Sequence, residues 1–205
     1  MAHRCRHWIF DLDGTLTEAV HDFPAIARAL GLPDTQPILE SLAMLPESQA
    51  TPIHRRLDEI ELAIARRARP APGAGVLLGL LRRRGVRLGI VTRNTRVTAR
   101  ATLAVSDLDR HFLDEDIIGR QDAAPKPDPG GIERLLEIWG AEPGDAVMVG
   151  DYLFDLQAGR AAGVSTVYVD PTGGFPWRDH ADAHVTSLVE LAELVLQGGS
   201  QTIPE

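Results

Sequence analysis

Four places in the chain carry groups suited to work on a charged ligand. Asp11 and Asp13 follow the apolar run "HWIF", separated by one leucine, and Gly14 comes next. In an extended chain, residues two apart point to the same side. The two carboxylates therefore face one cleft at the strand's C-terminal edge, where ligands bind in open α/β sheets. A carboxylate beside buried apolar residues is costly unless something compensates its charge. Gly14 permits a sharp exit and a close approach of backbone to ligand. Thr92 follows the run "RLGIV" with a hydroxyl, and the turn "TRN" offers backbone N–H groups to an anion. Lys126, in "APKPDPGG", supplies one fixed positive charge from a proline-rich loop. Asp151 and Asp155, in "VGDYLFD", follow the run "AVMVG", with Gly150 giving backbone freedom.

Taken singly, each feature has an ordinary reading: a turn at D-x-D-G, a helix N-cap at Thr92, a loop lysine, a first-turn acid at Asp155. Four in order, each at a strand end, point to one site. Asp11, Asp13, Asp151 and Asp155 brought together would repel, and without a cation one or more would hold a proton. These four are the candidate metal ligands. An all-oxygen, carboxylate-rich set favours a hard ion that keeps waters and shares a phosphate, which points to Mg²⁺. Lys126 and the Thr92 hydroxyl suit the remaining phosphate oxygens, and Asp11, Gly14 and Arg93 complete the expected phosphate-binding set. Arg93 either stands near the phosphate or turns outward to pair with an acid. This is the equipment of phosphoryl transfer, in which catalysis is mostly positioning and electrostatic stabilisation.

The elements that must hold these groups are legible as short apolar runs alternating with amphipathic segments. "HWIF", "RLGIV", "AVMVG" and "STVYV" are continuous rather than alternating, as suits strands buried on both faces of a parallel sheet. Between them, helical patterns stop at Gly85, Gly140 and Gly163. The expected fold is α/β: a Rossmann-like parallel sheet flanked by helices. From about residue 18 to 71 the rhythm breaks, with helix signals and no convincing strand. "DFPAIARALG" has a capping Asp22, and "PIHRRLDEIELAIARRA" repeats apolar residues at Ile53, Leu57, Ile60 and Ile64. The expected division is a catalytic core of residues 1–17 and 72–205, with a small all-helical insertion at 18–71. "QGGSQTIPE" reads as a frayed tail.

With "DLDGT", a threonine ending the second strand, a "KP" loop and "GDxxxD" in that order, the chain resembles the haloacid dehalogenase-like hydrolases. The resemblance spans about residues 6–170 and implies a Rossmann-like core with a helical cap inserted after the first motif. It implies that Asp11 is the nucleophile, forming an aspartyl-phosphate. Asp13 would protonate the leaving oxygen and then activate water. Its backbone carbonyl, with Asp11 and Asp151, would hold Mg²⁺. Thr92 and Lys126 would grip the phosphoryl group, and Asp155 would orient Lys126 or a metal-bound water. Dehalogenating members lack the second acid, and phosphonate-cleaving members place a lysine in the cap, where this chain has none. What remains is a phosphatase resembling the phosphoglycolate phosphatases, or alternatively a sugar-phosphate mutase of the beta-phosphoglucomutase type, which shares all four motifs. Candidate substrate-facing cap residues are His21, Phe23 and Arg55 or Arg56. A catalytically idle binding module on the same fold would be marked by a lost nucleophile or metal ligand, and none is lost.

Composition narrows the partners. A chain of 205 residues, 44% hydrophobic and 24% charged, suits one medium domain or one with a small insertion. A net charge of −8 argues against nucleic acid and anionic membranes. The arginine clusters at 66–67 and 82–84 read as cations at helix C-termini. The single cysteine, Cys5, excludes an intramolecular disulfide and fits a reducing compartment. No segment reads as a signal peptide or membrane span. The expectation is a cytoplasmic enzyme, monomer or small homo-oligomer, acting on a small phosphorylated metabolite.

Overall fold

Residues 5–198 are described by a computed structural model. Six strands, β1 (His7–Phe10), β2 (Arg87–Val91), β3 (Ile117–Ile118), β4 (Ala146–Gly150), β5 (Ser165–Val169) and β6 (Ala183–Val185), form one parallel sheet. Their order is β3-β2-β1-β4-β5-β6. The helices are α1 (Phe23–Ala29), α2 (Ile38–Ala43), α3 (Glu47–Ala65), α4 (Ala74–Arg83), α5 (Arg96–Val105), α6 (Gly130–Trp139), α7 (Leu153–Ala161) and α8 (Leu188–Gly198). The fold is the expected α/β, Rossmann-like arrangement.

Side-chain alternation explains the continuous apolar runs. Trp8 and Phe10 of β1 join a core with Leu77 and Leu81 of α4, Leu103 of α5 and Leu191 of α8. Ile9 points the other way, to Ile132 and Leu135 of α6 and Ala158 of α7. Both faces of the strand are covered, so every position must be apolar. Each fully buried side chain of this size contributes about 1.5–3 kcal/mol. β3 and β6 left no such signature. β3 has two residues, and β6 is an edge strand whose Ala183 and His184 are exposed.

The stretch between β1 and α4 is helical, as expected. Asp22 caps α1, its Oδ1 accepting from Ala25 N at 2.9 Å. The stripe Ile53, Leu57, Ile60 and Ile64 of α3 packs with Ile26 of α1 and Leu42 of α2 in a cluster of its own. Helix α3 starts at Glu47, five residues before the proline at which the sequence pattern begins. It also packs against α5 of the sheet layer. Residues 1–4 and 199–205, which include most of the expected C-terminal tail, lie outside the described residues. Among the described residues no helix is long and apolar enough to cross a membrane.

Candidate active site

β1 sits between β2 and β4, where the strand order reverses, and its C-terminal end opens the crevice such sheets use. Asp11 N donates to Val149 O at 2.9 Å, so pairing with β4 carries one residue past β1. The chain then turns tightly, with the Leu16 and Thr17 N–H groups both donating to Leu12 O at 3.0 Å. Gly14 has φ +97°, and a Cβ there would collide with the Asp151 carboxylate. The close approach expected of Gly14 is thus to a neighbouring acid at the end of β4. Thr15 fixes the same acid, its Oγ1 donating to Asp151 Oδ1 at 2.9 Å.

Lys126 is the only lysine in the chain, and its side chain is 1% exposed. Its Nζ lies 2.6 Å from Asp11 Oδ1 and 2.7 Å from Asp155 Oδ1, and it donates to Val91 O at 2.5 Å. Burial alone would lower its pKa, but Asp11 and Asp155 outweigh burial and hold it above the ordinary lysine value. Asp155 is equally committed, since its Oδ2 accepts from Tyr152 N at 2.9 Å. Expected among the metal ligands, it has one oxygen on the lysine and the other on the backbone.

Asp13 leaves the loop beside β2, where Asn94 Nδ2 donates to its Oδ2 at 2.6 Å. Thr92 Oγ1 accepts from Asn94 N at 3.0 Å, which leaves its own proton available for a ligand. Burial pushes Asp13 above the usual carboxylate range, against the opposing pull of His21, Asn94 and Lys126. Asp11 is raised well above that range by burial, with Asp155, Asp151 and Asp13 adding to it and Lys126 opposing. Burial and then Asp155 push Asp151 up to about 7. Carboxylate oxygens of Asp11, Asp151 and Asp155 lie within 4.8 Å of one another. So much buried negative charge around one lysine fits a divalent cation with oxygen ligands. The Asp13 carboxylate is not in that group.

The pocket above these groups has a volume of about 380 Å³. His21 and Phe23 line it, as expected, whereas Arg55 and Arg56 lie on the exposed face of α3. Arg93 also lines it, but its guanidinium is engaged. Nη2 lies 2.9 and 2.7 Å from the two Glu40 carboxylate oxygens on α2, and Nη1 donates to Lys126 O. The pair with Glu40 neutralises the charge that the phosphate expectation for Arg93 relied on. Of the two expected positions, the guanidinium takes the acid pair.

Sequence reasoning missed Asn94, Thr15 and a second arginine, Arg120. Arg120 pairs with Asp58 and Glu61 of α3, its Nη2 lying 2.8 Å from Glu61 Oε2, and donates to Arg93 O at 2.9 Å. Burial raises Glu61 from 4.5 to about 7 despite the arginine. The folded chain therefore binds this proton more tightly than the unfolded one, and stability falls as pH rises between those values. Glu61→Gln is expected to remove that slope. Thermal melts should give a variant-minus-wild-type Tm difference that grows across pH 4.5 to about 7; a constant difference contradicts the assignment.

A model of the haloacid dehalogenase-like hydrolase family matches residues 27–163. The chain belongs to this family. Among relatives of this hydrolase, the phosphoglycolate phosphatase of Rhodospirillum rubrum is 34% identical over 191 residues, covering 78% of this chain and 77% of that one. The plasmid-borne phosphoglycolate phosphatase of Cupriavidus necator is 29% identical, with 93% of each chain covered. A hydrolase structure from Pseudomonas syringae shares the fold at TM-score 0.76 and 23% identity, covering 94% of this chain and 98% of that one. With these relatives the haloacid dehalogenase-like hydrolase stands in the phosphatase branch, as a phosphoric monoester hydrolase.

Proposed function

We propose that the chain is a Mg²⁺-dependent phosphatase that cleaves a small phosphorylated metabolite through an aspartyl-phosphate on Asp11. The observation that carries this reading is the buried Lys126 clamped between Asp11 and Asp155, with Asp13 two residues on and held by Asn94. Asp11 Oδ1 faces the lysine, leaving Oδ2 to attack phosphorus. As the new P–O bond forms, the ester P–O bond breaks and Asp13 gives its proton to the leaving alcohol. Its raised pKa suits that role. Water then attacks phosphorus, Asp13 takes its proton, and the bond to Asp11 breaks to release inorganic phosphate. Thr92 donates its hydroxyl proton to a phosphoryl oxygen, and Lys126 balances phosphoryl charge.

Asp11, Asp151 and the Asp13 carbonyl would hold Mg²⁺, which would supply charge neutralisation for the phosphate when bound. Asp155 serves mainly to hold Lys126 in place. Residues 18–71 act as a cap over the core formed by 1–17 and 72–205, a reading supported by their separate apolar cluster. Purified protein with Mg²⁺ is expected to release phosphate from a panel of metabolite phosphate esters, phosphoglycolate included, and EDTA is expected to stop it. No release from any ester, or release unaffected by EDTA, sinks the proposal.

A further inference from the structure

We infer, on the phosphatase reading above, that the pocket takes a phosphate monoester whose alcohol portion carries no second anionic group and presents an apolar face. The space beyond the phosphate end is bounded by Phe23, Ile38, Leu39, Leu57, Tyr152 and Phe154. Phe23 and Tyr152 are 59% and 46% exposed, large apolar groups left open at the pocket rather than buried in a core. Phe23 stacks on His21, and Tyr152 packs edge-on against Phe154 and Trp177, so a ligand gains by covering the part of each ring that stays exposed.

The charges in the same pocket leave little for a second anion. Three cation-capable side chains line it: Lys126, Arg93 and His21. Lys126 is shared by Asp11 and Asp155. Arg93 is paired with Glu40 through both carboxylate oxygens, while its guanidinium carbon sits 4.8 Å from the centre of the Phe154 ring. His21 stacks on Phe23, their ring centres 5.4 Å apart. The remaining charged groups on the cap side, Asp34 and Glu61, are acids, each paired with an arginine. A carboxylate or second phosphate entering there would lose its hydration and meet acids, with both the lysine and the arginine of the pocket already ion-paired. An uncharged alkyl or aryl group loses nothing comparable and covers the aromatic surface.

The test compares three esters with similar alkoxide leaving groups: ethyl phosphate, benzyl phosphate and phosphoglycolate. Ethyl against phosphoglycolate isolates the second charge, and benzyl against ethyl isolates the apolar face. With wild-type protein and Mg²⁺, kcat/KM for benzyl phosphate should exceed that for ethyl phosphate by about tenfold or more. Ethyl phosphate should in turn exceed phosphoglycolate by a similar factor. Calorimetric binding to the Asp11→Asn protein should follow the same order. Phosphoglycolate equal to or better than ethyl phosphate, or benzyl no better than ethyl, overturns the inference. If wild-type protein releases phosphate from none of the three, the binding order to Asp11→Asn decides the inference, while the phosphatase reading stands or falls on the wider ester panel.

Discussion

Asp11→Asn is expected to lower phosphate release by at least about 10³-fold while leaving the protein folded and no less stable. The amide keeps the shape of the carboxylate and loses its nucleophilic charge. No neighbouring acid replaces it: Asp151 is turned to Thr15 and Asp155 to Lys126 and Tyr152 N. The stability half of the prediction follows from the raised pKa of Asp11, which burial causes. A carboxyl with a higher pKa folded than unfolded destabilises the folded chain as pH rises, because its charged form is penalised there. The uncharged amide removes that penalty and relieves repulsion with Asp151 and Asp155, while Lys126 keeps Asp155 as a partner. Phosphate release assays and melting curves at neutral pH without added metal check both halves. Activity within tenfold of wild type excludes Asp11 as nucleophile.

Lys126→Met is expected to produce a large loss of stability, together with loss of activity. Methionine matches the length of the lysine stem and fills the same space, so what is removed is the charge. Asp11 and Asp155 then face each other buried, with no cation between them. Removing one partner of a buried ion pair costs about 3–5 kcal/mol, against total stabilities of about 5–15 kcal/mol. The two carboxyls can escape by taking up protons, so the deficit should shrink at low pH and widen as pH rises. Adding Asp11→Asn to Lys126→Met should restore part of the stability and none of the activity. Urea unfolding of the three variants at pH 5 and pH 8 measures this, and additive effects of the two substitutions count against the shared pair.

The strands that carry the site were legible because burial on both faces forces continuous apolar residues, as in β1, β2 and β4. β3 and β6 escaped for the opposite reason: two residues make no run, and an exposed edge needs none. The candidate site was legible to the same depth. Asp11, Thr92 and Asp151 stand at strand ends, and Lys126 lies in the loop before α6. The groups that hold them in place, Asn94 and Thr15, lie in turns whose local sequence does not name a distant partner. The close approach of Gly14 to Asp151 spans most of the chain.

By itself the sequence determined which chemistry is available, because the acids and the hydroxyl follow apolar runs whose ends meet at one sheet edge. The tight turn after Asp11, not a strand repeat, sets where Asp13 lies. It determined the helical character of 18–71 through the spacing of Ile53, Leu57, Ile60 and Ile64. Only the tertiary structure decided where each charge is spent. Arg93 could have met a phosphate or an acid, and the fold brought Glu40 of α2 within 2.7 Å of it. Arg120 found Glu61 in the same way. Electrostatic pairing depends on distances of a few ångströms between segments far apart in the chain. Those distances follow from how α1–α3 pack over the sheet, which no local spacing encodes.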